Sequence, residues 1–125
     1  MASLASEIQT WMNANLPVHI DFNVTRPKKT DPWYTMVITA AENEKHTLCD
    51  TDGGDMVIQV QGYGSQRYDV YDAMEAIRHV IEDNMRNSVA NYSVWNVQTS
   101  GTISAGTIDN QMNGYAFDIA VTWSV

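Results

Sequence analysis

The sequence predicts an α+β fold in which two helices pack on one side of a mainly antiparallel β-sheet. Helix-spaced and strand-spaced apolar residues follow one another in the order helix, three strands, helix, two strands. That order favours helices segregated onto one face of a sheet. The composition agrees, because twelve Val and nine Ile accompany only three Leu, and β-branched residues suit pleated strands better than helix bundles.

The first half of the chain predicts one helix and two strands. Apolar residues at i, i+4, i+7 and i+8 predict a helix from about Ser3 to Asn13. Strict alternation then predicts a strand from Val18 to Val24, with Ile20 and Phe22 towards the core and Asp21 in water. A connection with two prolines leads to a second predicted strand, Trp33 to Ala40.

The second half predicts a strand, the main helix and two further strands. Alternation marks Met56 to Tyr63, and helical spacing marks about Tyr68 to Asn87. A shorter strand is predicted from Val94 to Thr99. The clearest alternation in the chain runs from Tyr115 to Val125 and places six large apolar residues on one face, so this last segment is expected to be structural.

Two long loops are predicted within a single domain spanning residues 1–125, a length that suits one domain with its own core. The first is a hairpin loop at about 42–55, which has almost nothing to bury and ends near a glycine pair. The second, at about 100–114, is rich in Ser, Thr, Gly and Asn, and a small hairpin within it is left open as an alternative. Loops of such length within a compact domain often have a function.

The charge, the cysteine content and the hydropathy of the chain indicate the cellular compartment in which the protein acts. Asp and Glu total 15 against 7 Lys and Arg, a formal charge of −8. The single Cys49 excludes an intramolecular disulfide and a multi-thiolate metal cage, and it suits a reducing compartment. No apolar run of membrane-spanning length and no signal-peptide pattern is present, so we expect a protein that acts inside the cell with no membrane partner.

No segment has the pattern of a catalytic, cofactor or metal site. The stretch 62–65, Gly-Tyr-Gly-Ser, lacks the further residues of a dinucleotide or phosphate loop and is interpreted as a strand-to-helix turn. The acidic stretch 50–55 resembles a calcium loop, but Gln61 stands where a bidentate Glu is needed. The three histidines, at 19, 46 and 79, have no ligand spacing, and no pair of carboxylates is singled out.

Basic residues are too sparse for tight DNA binding. Phosphate contacts need clustered Lys and Arg. The densest basic group here is Arg26, Lys28 and Lys29, on one proline-bounded connection. Most of the aromatic residues fall at core-facing positions, where burial rather than base stacking is expected.

Taken together, these segments resemble the tail terminator proteins of long-tailed (siphovirus-type) bacteriophages. The resemblance covers most of the chain and is one of element order and aromatic pattern, without an invariant signature. It is carried by the first helix and strand, the Pro-Trp-Tyr opening of Trp33 to Ala41, the segment Gly54 to Gln61 that leads into Gly62 and Gly64, the helix from Tyr68, and the closing segment Gly114 to Trp123.

The resemblance implies a structural virion protein without catalysis and without a cofactor. In that family a small α+β subunit forms a homohexameric ring that caps the finished tail tube and faces the head-completion or connector proteins. It implies a place in the neck of the virion tail, assembly in the host cytoplasm, and DNA that passes through the channel without specific binding. No individual family residue transfers to this chain.

The acidic loop at 42–55 is the predicted docking segment, on its position and length alone. The residues expected to contact the neighbouring ring or tube are Glu42, Glu44, Lys45, His46, Asp50, Asp52 and Asp55.

Other function classes remain open at this stage. Another head-tail connector or a tail tube protein would share the same features. A small α+β enzyme would need a concave pocket with a pKa-shifted group. A ligand-binding or regulatory domain would be a monomer with one apolar pocket.

Overall fold

The structure is a computed structural model that describes residues 3–22, 31–40, 45–46, 51–108 and 112–124. The described residues form two helices and seven strands, which confirms the predicted α+β class. In chain order these are α1 (Leu4–Asn15), β1 (Ile20–Phe22), β2 (Trp33–Ala40), β3 (Lys45–His46), β4 (Thr51–Gly64), α2 (Arg67–Asn84), β5 (Ser93–Thr99), β6 (Ile103–Ile108) and β7 (Met112–Ser124).

The centre of the sheet is a long antiparallel ribbon of β4 and β7. Its ladder runs from the pair Gly53 and Ser124 to the pair Gly64 and Asn113, a length of about 40 Å at 3.4 Å per residue. The strand order is β1-β2-β4-β7-β5, while β3 adds to β4 and β6 adds to β7. The described pairs are antiparallel except that of β1 with β2, which is parallel.

Both helices bury their apolar stripes against one face of this sheet. The predicted stripe of α1 is buried, as are Val70, Met74, Ile77 and Ile81 of α2. The sheet contributes the alternating residues that face them to one continuous core: Tyr34, Met36, Met56, Ile58, Val60, Phe117, Ile119 and Val121. The alternation from Tyr115 to Val125, which was predicted to put large apolar residues on one sheet face, is confirmed at Phe117, Ile119 and Val121.

The helix ends follow local capping and turn geometry. The hydroxyl of Ser3 accepts a hydrogen bond from the backbone N–H of Ser6 at 3.2 Å and so caps the start of α1. The second helix ends at Asn84, earlier than the predicted Asn87. Asn87 has a left-handed φ of 61°, and its N–H donates to the carbonyl of Val94 at 2.7 Å. This turn stops the helix and starts the return to β5.

The predicted facing of the first strand is wrong at Asp21 and Phe22. Asp21 is buried and Phe22 is 40% exposed. Burial of the carboxylate is compensated by hydrogen bonds: the indole N–H of Trp33 donates to Asp21 Oδ2 at 3.2 Å, and His19 Nε2 lies 3.0 Å from Oδ1. The far end of that predicted strand, Asn23 and Val24, lies outside the described residues.

The first predicted long loop contains strand structure, so its extent is wrong. Residues 51–55 belong to β4, and β3 pairs with them. In the second, residues 103–108 form β6, which pairs with a β7 that already begins at Met112, so the small hairpin is confirmed and the loop is shorter than predicted. These segments have few large apolar residues to bury, so periodicity did not mark their full extent.

Gly62 is required because the main helix packs directly on the backbone of β4. A Cβ at Gly62 would lie 2.6 Å from Met74 Sδ and 2.9 Å from Tyr34 Cδ1. We expect Gly62→Ala to lower the free energy of unfolding by about 1–3 kcal/mol through overpacking. Gly101→Ala is the matched control, because nothing lies within 4 Å of its added Cβ. Urea unfolding midpoints measure both, and an unchanged midpoint for Gly62→Ala would refute the packing argument.

Candidate functional site

The segment predicted to dock lies at one end of the central ribbon. Lys45 and His46 form β3, and their backbone pairs with Gly53 and Thr51 of β4. We call β3 together with residues 51–55 the arm. Of the predicted contact residues, the arm contains the backbones of Lys45, His46, Asp52 and Asp55, whereas Glu42, Glu44 and Asp50 lie outside the described residues.

The root of the arm is fixed to β7. Gly53 pairs with Ser124 and Asp55 pairs with Thr122, in register with the rest of the ribbon. A Cβ at Gly53 would collide with the backbone carbonyl of Trp123. The arm is thus a continuation of the central ribbon, and a rigid ribbon can hold acidic side chains at a defined place.

The face of the sheet opposite the helices, which we call the outer face, carries mainly polar and small side chains together with the stacked rings of Trp33 and Tyr63. It carries the residues that alternate with the core positions: Thr35, Val37, Thr39, Asp55, Val57, Gln59, Gln61, Asn96, Gln98, Ala116, Asp118, Ala120 and Thr122. Asp55 and Asp118 are the carboxylates among these described positions, and no Lys or Arg occurs among them. The outer face therefore has a negative charge.

Amide and phenol groups link alternate residues of the outer face along β4. The Gln61 amide donates to Gln59 Oε1 at 2.6 Å, and the Tyr63 hydroxyl donates to Gln61 Oε1 at 3.1 Å. Burial raises the pKa of Tyr63, so this hydroxyl remains a donor at neutral pH. Tyr63 also stacks on Trp33 with ring centroids 5.2 Å apart, and a Cβ at Gly114 would collide with its ring.

A cleft of about 260 Å³ opens where β4 turns into α2. It is lined by Asp31, Pro32, Ser65, Gln66, Asp69 and Val70. Asp31 accepts hydrogen bonds from the backbone N–H of Ser65 at 3.0 Å and from its hydroxyl at 2.5 Å. These bonds lower the pKa of Asp31. The carboxylate thus holds the predicted strand-to-helix turn in place, which is a structural use of the group.

A second cleft, of about 240 Å³, lies between the start of α1 and the end of β1. The described residues that line it have uncharged side chains: Ser3, Ala5, Ser6, Gln9 and Phe22. Within the described part of the chain, no three His, Cys, Asp or Glu residues come together as metal ligands would. Neither described helix is long and apolar enough to cross a membrane.

A charged network ties the middle of α2 to the edge of the sheet. Arg78 contacts Glu75 at 2.7 Å and Glu82 at 3.5 Å, and its guanidinium donates to Thr99 Oγ1 of β5 at 3.3 Å. The Thr99 hydroxyl in turn donates to Glu82 at 3.1 Å. Sequence spacing suggested helix-surface pairs, but it did not reveal the link to β5.

This network predicts a pH-dependent contribution to stability. The hydrogen bond from Arg78 lowers the pKa of Glu75 below its ordinary 4.5, so the contribution is present above about pH 4.5 and is lost as pH falls through the lowered pKa. We expect Arg78→Gln to lower the free energy of unfolding by about 0.5–1 kcal/mol at pH 7. Urea denaturation at a series of pH values should show this difference shrinking towards pH 3. A difference that stays constant would contradict the assignment.

Sequence reasoning missed two exposed apolar side chains on the β5–β6 side of the sheet. Trp95, at a bulge in β5, is 50% exposed, and Ile103 in β6 is 64% exposed. A signal for this surface exists in the sequence, because the segment from Asn87 to Ile108 contains no Asp, Glu, Lys, Arg or His.

Comparison with known proteins finds similarity of fold. No family model matches the sequence, and no curated protein matches it. Among solved structures, a chain from "Virion of native gene transfer agent (GTA) particle" is similar at a TM-score of 0.59 and 6% identity, over 98% of this chain and 92% of that one. A second solved structure, whose name describes no function, is similar at a TM-score of 0.56 and 12% identity, over 96% and 89% of the two chains. At these identities the likeness shows a shared fold.

Proposed function

We propose that the protein is a bacteriophage tail terminator, a non-enzymatic structural protein of the virion. In this proposal six copies form a ring that caps the tail tube and joins it to the head-completion or connector protein. The ring sits in the neck region of the virion tail after assembly in the host cytoplasm.

The observation that carries the proposal is the near-complete fold similarity to a chain from a gene transfer agent virion. It spans 98% of this chain, so no large part of the domain is left over for a separate activity. The resemblance of the helix and strand segments to tail terminators points independently to the same class. The negatively charged outer face and the arm offer surfaces for assembly.

The nearest rival is another head-tail connector or a tail tube protein, because a shared fold does not by itself assign a position in the particle. A small enzyme is the more distant alternative. The 260 Å³ cleft is the place where it would act, but the carboxylate of Asp31 there is engaged with Ser65.

Depletion of the protein during phage production distinguishes a tail terminator from a tube protein and from a head connector. For a terminator, electron microscopy should show filled heads apart from tail tubes of irregular length, and supplying the protein should restore joined particles. Loss of a tube protein would leave no tubes, and loss of a head connector would leave finished tails of one length. Normal particles after depletion would refute a structural role in joining.

The proposed ring also predicts that the protein does not bind the DNA that passes through its channel. A channel that neutralised phosphates would hold the duplex through released counterions, so the bore should carry more carboxylates than Lys and Arg. The charge of −8 per chain agrees with this, although solubility alone also favours such an excess. We expect no measurable binding of duplex DNA near physiological salt in an anisotropy titration. Salt-sensitive binding at micromolar protein, or a bore lined by Lys28, Lys29 and Arg67, would contradict the prediction.

A further inference from the structure

An Asn-Gly pair, Asn113 and Gly114 of β7, lies at the end of the central ribbon that is opposite the arm. It is the single Asn-Gly pair in the sequence. In such a pair the backbone nitrogen of the glycine can attack the side-chain amide of the asparagine, because glycine has no Cβ that hinders the approach. Asn113 is half-buried, so the rate of this reaction depends on how the ribbon holds the two residues.

Packing requires the glycine of this pair. A Cβ at Gly114 would collide with the ring of Tyr63, and that ring stacks on Trp33. A larger residue at this position would displace the stacked rings and overpack the sheet. The fold therefore keeps the reactive glycine in place, and the protection of Asn113 has to come from the conformation of the ribbon.

The ribbon keeps the Gly114 nitrogen away from the side chain of Asn113. Gly114 pairs with Tyr63 of β4 on one side and with Gly106 of β6 on the other, and Asn113 lies between the same two strands. Both residues therefore have extended backbone with a paired strand on each side. Attack needs the Gly114 nitrogen within bonding distance of Asn113 Cγ, and this requires a rotation of the backbone that breaks the pairing.

The side-chain amide of Asn113 also has a structural partner. Its Nδ2 donates to the backbone carbonyl of Ser65 at 3.4 Å, and Ser65 is held in turn by the carboxylate of Asp31. The amide thus links the end of β7 to the turn between β4 and α2. Conversion of the amide to a carboxylate would remove the donor and place a negative charge beside a carbonyl oxygen.

We propose that Asn113 is a latent deamidation site, which is protected while β7 is paired with β4 and β6 and is modified when this end of the ribbon opens. In the reaction the Gly114 nitrogen forms a bond to Asn113 Cγ. The side-chain nitrogen leaves as ammonia, taking up the proton from the Gly114 nitrogen, and a cyclic succinimide remains. Water then opens the ring at one or the other carbonyl and gives aspartate or isoaspartate, with no oxidation or reduction.

Either product would weaken the ribbon when it closes again. Isoaspartate adds an atom to the main chain of β7, so the register with β4 and β6 shifts at that point. Aspartate keeps the register, but it adds a negative charge to a chain whose formal charge is already −8. The modification does not depend on the proposed role in the virion.

Peptide mass spectrometry of the folded and the urea-unfolded chain, kept at the same mildly alkaline pH, tests the protection. We expect Asn113 to deamidate at least about tenfold more slowly in the folded chain, because the reaction has to wait for local opening. Ser100→Asn is the matched control. It creates an Asn-Gly pair with Gly101, between the end of β5 and the start of β6, and this pair should react at similar rates in both states.

Two glycine variants test whether pairing with β6 controls the opening. Gly106 has a φ of 88°, so Gly106→Val strains the strand opposite Gly114. We expect the deamidation of Asn113 to become at least about fivefold faster, because opening releases the strain of a non-glycine residue at this φ. Gly101→Val is the control and should leave the rate unchanged, since nothing lies within 4 Å of its added Cβ.

Circular dichroism melts check that the glycine variants are folded, and Gly106→Ala replaces Gly106→Val if the larger side chain prevents folding. Equal deamidation rates of Asn113 in the folded and unfolded wild-type chain would overturn the proposal. An unchanged rate in the folded variant at Gly106 would also overturn it, because the pairing with β6 would then give no protection.

Discussion

Removal of residues Tyr115 to Val125 is expected to abolish folding. The deleted residues supply most of β7, which pairs with β4 along the whole central ribbon and also holds β5 and β6. Phe117, Ile119 and Val121 are almost completely buried. At about 1.5–3 kcal/mol for each buried side chain, their loss alone approaches the total stability of about 5–15 kcal/mol of a typical domain.

Thermal and urea unfolding followed by circular dichroism measure this result. The truncated chain should show no cooperative transition. Two point variants calibrate the scale: Ile119→Ala should lower the free energy of unfolding by about 2–5 kcal/mol, whereas Ala120→Ser, on the exposed side of the same strand, should lower it by less than about 0.5 kcal/mol. A cooperative melt of the truncated chain would refute the central role of β7.

Sequence patterns predicted the parts of the fold that touch the core. β2 has the predicted bounds, Trp33–Ala40, and α1 begins within a residue of its predicted start. The helical stripes and the alternation in β7 reflect burial directly, because each apolar residue in them faces the same core. Where one face of an element is buried, the period of the pattern identifies the element.

Patterns failed where burial does not follow hydrophobicity. Asp21 is buried because Trp33 donates a hydrogen bond to it, a pairing between residues twelve apart that no local period contains. β3, β6 and the start of β4 have few large apolar residues to bury, so local patterns did not mark them. The parallel pairing of β1 with β2 likewise depends on the path of the chain and not on alternation.

One candidate surface could be predicted from the sequence and the other could not. The segment at about 42–55 was predicted to dock from its position and length alone, and that role stays a prediction. The Trp95 surface was missed because a sequence does not say which strand lies at an edge. Alternation assigns a side chain to one of two faces, but an exposed residue at a bulge belongs to neither pattern.

Neutralising the acidic side chains of the docking segment should block the joining of heads to tails while leaving the chain folded. Because residues 53–55 pair with β7, deleting the whole segment would also damage the ribbon, and side-chain changes are the cleaner test. The variant combines E42Q, E44Q, D50N and D52N. We expect an unchanged melt and infectious particles reduced at least about a hundredfold, because the docking surface loses four negative charges at once.

The matched control removes the same number of negative charges from the helices, with E7Q, D69N, D72N and D83N, all outside the arm. It should give normal numbers of infectious particles, because the net charge changes equally in both variants and only the position differs. Complementation of a depleted phage, followed by plaque counts and electron microscopy, measures both. Docking through the segment at 42–55 predicts separate heads and tails for the first variant alone, so equal titres of the two variants would assign the docking surface elsewhere.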